Sequence, residues 1–550
     1  MFGRSDIRGS RPLRAIAAAA VALGLASCSS AQPPVHSTAH ADDYGTPVGE
    51  QKVRQGGDLV MGLSNEPDRL DPTTSSSLYM RYVMSTVCEK LYDNDSSGNL
   101  VPQLATELPH FSDDGLTVTI PLRTGVQFAD GTTFNSSAVR TSLQRHLTLD
   151  GSQRTGEMGP ITEIDTDGQS QIVLKFGTPF APITAALADR AGMIMSPSAL
   201  REEGKDFGDH PVCVGPFKFV ERIPQQTIVV ERDPLYYDAQ NVHFDRIVYR
   251  IMTDPKARAA ALRAGDVQVA DTMSPQDVDA LSTDPRLHLL VSGSFGFQGF
   301  YLNIGNVDGA GKPAKPIETP LAIDARVRQA LSLSVDRQAL VDQVFKGWYE
   351  PTCTPIAPRT SYATAADTDC PEFDPDRARR LLADAGVQTP YPVTMQVMNV
   401  SDQLQYAQAL QAQLARGGFD LRIVPSEYPA MLEAQKRGTY ESLLLGWSGR
   451  LDPDGNISRF LTTGSSGNYA GYSSPDLDEV LAWAAHSTSP ARRGALYEQA
   501  VRLVQRANPY IYTYRLRNLT VHSTGVTGIE VYADGTVRLG KAAFVADRNS

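Results

Sequence analysis

Residues 391–447, YPVTMQVMNVSDQLQYAQALQAQLARGGFDLRIVPSEYPAMLEAQKRGTYESLLLGW, decide the fold class through the order of their hydrophobic periods. Val393–Val400 reads as a strand, and Ser401 caps a helix over 402–416 that Gly417-Gly418 closes. Leu404, Ala407, Leu410 and Leu414 share one face of that helix, the stripe it would bury against a sheet. A strand over 420–425, a helix over 429–437 and a strand over 441–447 follow. Strand–helix–strand at these lengths requires parallel strands joined by right-handed crossovers, hence an open α/β sheet with covered faces.

Ligands of open α/β sheets bind outside the carboxyl ends of the strands. The strand over 441–447 ends in Gly446-Trp447-Ser448-Gly449-Arg450-Leu451-Asp452-Pro453-Asp454, so these residues are the first candidates for a binding site. Trp447 offers a stacking surface, Ser448 and Gly449 leave room for a ligand backbone, and Arg450 and Asp452 suit charged ends. Asp-Pro-Asp-Gly is equally turn chemistry, with Asx side chains bonding the local backbone. Upstream, Phe295-Gly296-Phe297-Gln298-Gly299-Phe300-Tyr301-Leu302-Asn303 alternates aromatic and small residues. Phe297, Tyr301 and Asn303 are therefore candidate cleft residues. Tyr510, Tyr512 and Tyr514 share a face at period 2, with Tyr512 the candidate among them; core packing is the competing reading for all these aromatics.

Elsewhere, strands are expected at 57–63, 116–122, 126–134, 171–176, 216–221, 226–232, 244–252 and 510–516. Asn135 should cap a helix near 136–147, and Asp254-Pro255 should start one that stops at Gly265. Asp324, Asp374-Pro375 and the Ser-Pro pairs at 474–475 and 489–490 open further helices. A hairpin is expected around Ala533-Asp534-Gly535-Thr536.

Of the 550 residues, 41% are hydrophobic, 21% charged and 8% aromatic, an ordinary globular balance. Lysine and arginine number 51 against 62 acids, a net charge of −11, which argues against nucleic acid as the partner. Arg4, Arg8, Arg11 and Arg14 precede an uncharged run, Ala15–Ala26, that is shorter than the roughly twenty residues a membrane span needs. This is the layout of an export signal over 1–27. Leu25-Ala26-Ser27-Cys28 resembles the lipobox of bacterial lipoproteins, which makes Cys28 the expected lipidation site and 28–55 a flexible leash. Cys88, Cys213, Cys353 and Cys370 remain, an even number in an oxidising compartment, and three pairings are open. Cys353–Cys370, closing a short loop, and Cys88–Cys213 are favoured. No cysteine lies at zinc-ligand spacing, so no metal is expected.

Enzyme signatures are missing. No His-Glu-x-x-His or Gly-x-Ser-x-Gly occurs, and in Gly309-Ala310-Gly311-Lys312-Pro313 a proline stands where a phosphate loop needs Ser or Thr. Other stretches form an ordered set of motifs: Asn65-Glu66-Pro67-Asp68-Arg69-Leu70-Asp71-Pro72, Leu100-Val101-Pro102-Gln103-Leu104-Ala105, Ser112–Thr117 and Leu122–Gly131, then Gly215-Pro216-Phe217, Asn303 and Val327–Ser332 through Asp336-Arg337. On these the chain resembles, from about 57 to 540, the extracytoplasmic solute-binding proteins of oligopeptide and dipeptide ABC importers, family 5.

The resemblance implies a two-lobed α/β fold of the type II periplasmic binding proteins, closing by hinge motion, with an extra subdomain in lobe I. Lobe I would comprise 56–92, 196–300 and 508–550, the subdomain 93–195, and lobe II 301–507. The ligand would be a short peptide or another small solute (glutathione-like, an opine, a haem or metal chelate, a sugar), and the partners an ABC permease and its ATPase. The protein would be a lipid-anchored monomer on the outer face of the cytoplasmic membrane, with no catalytic residue or cofactor. A sensing or envelope lipoprotein without transport is the other role considered. The family's peptide binders hold the ligand's amino terminus with an aspartate three residues after the tryptophan that matches Trp447; here that position is Arg450. Asp452 would substitute for it, Arg450 would receive an anionic group, or Arg450 would pair with Asp452 or Asp454.

Overall fold

The structure is a computed structural model that describes residues 41–49, 52–358, 360 and 362–546. The export signal, Cys28 and the leash up to residue 40 lie outside the described residues. From 41 onward the expected leash is in part attached to the body. Asp43 bridges Val291, Gly45 bridges Glu530, and Val53–Arg54 pairs with the strand Ala543–Val545. Among the described residues no helix is long and apolar enough to cross a membrane.

Two mixed sheets form the two lobes. The first has seven strands in the order Leu287–Gly293, Arg517–Ser523, Val269–Ala270, Asp58–Leu63, Arg246–Ile251, Thr227–Arg232, Phe217–Ile223. Asp58–Leu63 is parallel to both of its neighbours, and the other pairings are antiparallel. The second has six, in the order Glu350–Pro351, Tyr510–Arg515, Gln298–Leu302, Ser442–Leu444, Tyr391–Met398, Phe419–Ser426. Its last three strands are the parallel set read from 391–447, and Ser401–Arg416 and Tyr428–Arg437 are their crossover helices. Tyr406, Ala407, Leu410 and Leu414 are the buried face of the first helix.

The chain passes between the sheets twice, from Gly293 to Gln298 and through Leu516. Tyr510–Arg515 therefore pairs in the second sheet with Gln298–Leu302, although the lobe boundaries read from sequence leave the first strand in lobe I and cut the second at residue 300. A four-stranded antiparallel sheet, His110–Phe111, Thr117–Pro121, Gln171–Phe176, Ile161–Thr166, lies inside the segment expected as an extra subdomain. Helix Ser136–Thr148 packs on it, with the Asn135 side chain accepting from the Ala138 amide. The segment 126–134, expected as a strand, is a loop closed by one bridge between Gln127 and Thr133, because the Asp130-Gly131 turn falls in its middle and leaves too little length for a ladder.

Both favoured cysteine pairs are bonded. Cys88–Cys213 ties helix Leu78–Val87 to the approach to strand Phe217–Ile223, with Cα atoms 4.9 Å apart. Cys353–Cys370 closes its loop with Cα atoms 5.4 Å apart.

Candidate functional site

The strand ends locate the site. Each sheet contains three parallel strands, and all six carboxyl ends converge on one cavity of about 140 Å³. From the first sheet come Ser64 and Asn65 after Asp58–Leu63, Thr253 and Arg258 after Arg246–Ile251, and Thr272 and Met273 after Val269–Ala270. From the second come Met398 and Asp402 after Tyr391–Met398, Tyr428 after Phe419–Ser426, and Leu445–Ser448 after Ser442–Leu444. Ser294, Gln298, Leu516 and Asn518, on or beside the two crossover segments, line it as well. A cavity between two sheets, lined by the segments that connect them, is where closure of one lobe on the other would enclose a ligand.

Five aromatic rings stand in the lining. Tyr79 meets Tyr428 edge to face across the lobes at 5.3 Å between ring centroids, and its hydroxyl accepts from Asn65 Nδ2 at 3.0 Å. Phe345, Tyr349 and Trp447 add further ring surface. Two charged groups face this lining. Arg258 donates to the carbonyls of Met252 at 2.6 Å, Thr253 at 3.0 Å and Thr272 at 2.8 Å, while its Nε has no hydrogen-bond partner. Asp402 stands in the first turn of helix Ser401–Arg416; burial raises its carboxyl above the usual range, with the Ser274 hydroxyl and Arg258 acting in the opposite direction. Asp271, close by, is committed: its oxygens accept from the Ser64 amide at 2.8 Å, the Ser64 hydroxyl at 2.6 Å and the Thr272 hydroxyl at 2.8 Å. The Ser76 hydroxyl, also in the lining, has no partner.

Of the nine candidate ligand residues, Trp447 and Ser448 line this cavity. Trp447 is held from three directions. Its backbone exchanges hydrogen bonds with Phe297 at 2.8 and 3.0 Å, its Nε1 donates to Asn456 Oδ1 at 3.1 Å, and the Arg450 guanidinium lies 4.0 Å from its ring centroid. The other seven are placed elsewhere. Gly449, at φ +91°, makes room for protein rather than ligand, since a Cβ there would meet the Gly296 amide at 2.2 Å. A Cβ on Gly296 would likewise meet the Trp447 carbonyl at 1.9 Å. Phe297, Tyr301 and Tyr512 form a buried aromatic cluster with Tyr510, at centroid distances of 4.6–5.2 Å. They are core because both faces of the second sheet are covered. Asn303 is a loop clamp whose Nδ2 donates to the carbonyls of Asn306, Gly438 and Tyr440.

Arg450 and Asp452 point away from the cavity and are bound to other residues. Arg450 Nε pairs with Asp189 at 2.6 Å, a partner from the segment expected as the extra subdomain and not Asp452 or Asp454. Asp452 takes both terminal nitrogens of Arg493, at 2.7 and 2.8 Å. Burial opposes ionisation of Asp189, but the guanidinium of Arg450, then those of Arg81 and Arg190, hold its carboxyl well below the usual range. Asp402 and Arg258 carry the charge of the cavity and were not among the sequence candidates. Asp402 follows the carboxyl end of a parallel strand, the same rule that singled out Trp447. Arg258 sits beside Lys256 and Arg263 on one helix, and nothing in the sequence separates it from them. Among the described residues no group of three His, Cys, Asp or Glu could hold a metal.

Comparison with known proteins agrees with this geometry. The family model for bacterial extracellular solute-binding proteins, family 5 (middle), matches residues 99–468. The glutathione-binding protein GsiB of Pectobacterium atrosepticum is 29% identical over 491 residues, covering 87% of this chain and 92% of the relative. The dipeptide-binding protein of a Pseudoalteromonas species, solved with Met-Leu, superposes with a TM-score of 0.81 at 21% identity, covering 89% of this chain and all of the other. The binding protein AgaA of Agrobacterium tumefaciens R10, solved with agropinic acid, gives 0.80 at 24%, covering 90% and 99%. The protein thus belongs to the bacterial extracellular solute-binding proteins of family 5, two-lobed receptors that bind a solute for an ABC importer and are not enzymes.

Proposed function

We propose that this protein takes a short peptide, or a peptide-like solute with a free amino group, into the inter-lobe cavity and delivers it to the permease of an ABC importer, while a lipid on Cys28 keeps it at the outer face of the membrane. The observation that supports this most is the convergence of six strand ends on an aromatic cavity in which one carboxylate and one guanidinium face each other from opposite lobes. Aromatic walls bury the ligand's apolar parts. Asp402 receives its amine, and Arg258, with three donors already on carbonyls and Nε unpartnered, supplies the field that favours a negative end. A ligand touching both lobes binds the closed arrangement more tightly than the open one, which is what drives closure. The named relatives take glutathione, Met-Leu and agropinic acid, a size class in keeping with a short ligand.

A second reading, transport of a non-peptide solute, draws on the Trp447 loop, where Asp452 is locked to Arg493 and no carboxylate of the loop is open to an amine. Thermal unfolding with a panel of glutathione, Met-Leu, other dipeptides and tripeptides, and opines separates the two. The peptide reading expects a stabilising peptide whose affinity falls at least about tenfold in Asp402→Asn, the loss of one charge-assisted contact. Stabilisation by opines alone, with no peptide response, would replace it with the second reading.

A further inference from the structure

Trp447 lines the main cavity; Arg450, stacked on its ring, lines a separate void of about 20 Å³ together with Asp189, Glu157, Arg459 and Asp454. The Trp447–Arg450 sandwich divides the two spaces. Arg450 is held on every side. Its amide donates to Asn456 Oδ1 at 2.7 Å, Asn456 Nδ2 returns a bond to the Arg450 carbonyl at 2.7 Å, and Nη1 donates to the Gly449 carbonyl at 2.7 Å. Gly455 leaves space for its stem, since a Cβ there would come within 2.8 Å of Arg450 Cγ. Nη2 has no hydrogen-bond partner, so the guanidinium is not fully satisfied where it lies. Asp189 does not need Arg450 to stay compensated: its Oδ1 meets Arg81 Nε at 2.8 Å and its Oδ2 meets Arg190 Nη1 at 3.2 Å.

We propose that Arg450 is a specificity-determining residue: its guanidinium fills a cation-holding subsite formed by Asp189 and the face of Trp447, so that a ligand in the main cavity must end at Trp447. The inference rests on the reading of that cavity as the solute site. The subsite is complete in chemical terms, with a buried carboxylate held ionised and an aromatic face for a planar cation. It is occupied from within by the Arg450 side chain. Ligands bearing a guanidinium or ammonium beyond Trp447 meet a charge of the same sign and a filled volume.

Emptying the subsite tests this. Arg450→Ala removes the stem and charge; Arg450→Met removes the charge and keeps most of the volume. Methylguanidinium at 20 mM is expected to raise the melting temperature of Arg450→Ala by about 2 °C, the size of shift that millimolar binding gives a chain this long. It is expected to leave the native protein, Arg450→Met and the double variant Arg450→Ala/Asp189→Asn unchanged. This arm needs no knowledge of the solute, so it stands or falls apart from the peptide reading. Where Met-Leu binds the native protein, Arg-Met-Leu and Met-Leu-Arg are both tried, and one of them should gain at least about tenfold in Arg450→Ala relative to native and nothing in Arg450→Met. If Arg450→Ala does not fold alone, the yield on refolding with methylguanidinium against sodium chloride is the readout. An equal response in all variants, or an equal yield with either salt, overturns the proposal.

Discussion

Asp454 gives the loop that presents Trp447 a pH signature. Its carboxyl is buried, and burial first, then the charge of Asp452, raises it to about 6 from an ordinary 3.8. A position in the first turn of helix Asp454–Leu461 would favour the ionised form, as does the Ser458 hydroxyl donating at 2.6 Å, but neither offsets burial next to a second carboxylate. The folded state therefore holds a proton here that the unfolded chain has released. Below about pH 4 both states are protonated and Asp454 has no effect. As pH rises from about 4 to 6 the native state loses stability, and above that the loss is constant. A gap of about two pKa units corresponds to about 3 kcal/mol at pH 7.5. Asp454→Asn keeps the volume and an oxygen to accept from Ser458 while removing the charge. Urea unfolding should find the variant more stable than native by up to about 3 kcal/mol at pH 7.5 and indistinguishable from it at pH 4. A difference that is the same at both pH values, or a variant less stable at pH 7.5, would refute the assignment of a buried, repelled carboxylate.

Asn456→Ala removes the acceptor shared by Trp447 Nε1 and the Arg450 amide, and the donor to the Arg450 carbonyl. It should cost about 2–3 kcal/mol in urea unfolding and weaken solute binding by freeing the indole, with unchanged affinity arguing that Trp447 does not contact the solute. Replacing Cys28 with serine should move the protein from the membrane fraction to the soluble extracytoplasmic fraction. Retention on the membrane would show that the leash is not lipid-anchored.

The parallel core was legible because its signal is local. The stripe of Leu404, Ala407, Leu410 and Leu414, the Gly417-Gly418 stop and the flanking apolar runs each report on a few consecutive residues, and the sheet adopts that order. Helices Pro255–Ala264, Pro475–His486 and Pro490–Ala507 start at the residues read from their caps, since an Asp or Ser ahead of a proline satisfies the first turn without help from the rest of the fold. The lobe boundaries were harder to read. Strands Gln298–Leu302 and Tyr510–Arg515 pair across more than two hundred residues, and period 2 says that a segment is a strand but not which sheet it joins.

The site shows the same division more sharply. Trp447 could be found because the rule about strand ends needs only the direction of a strand, and that rule applied to every parallel strand also reaches Asp402. Arg450 and Asp452 lie only three and five residues further on, yet their partners are Asp189 and Arg493, which no reading of the loop alone supplies. A charged side chain in a loop is equally consistent with a ligand contact and with a buried ion pair, because the chemistry that recognises a carboxylate is the same in both. What separates them is whether a protein carboxylate already stands within reach. For Arg450 one does, Asp189, which is remote in the chain. The pair that fills the subsite also ties the loop after Trp447 to the segment around Asp189, so a substitution there should change both which ligands fit and how firmly that loop is held.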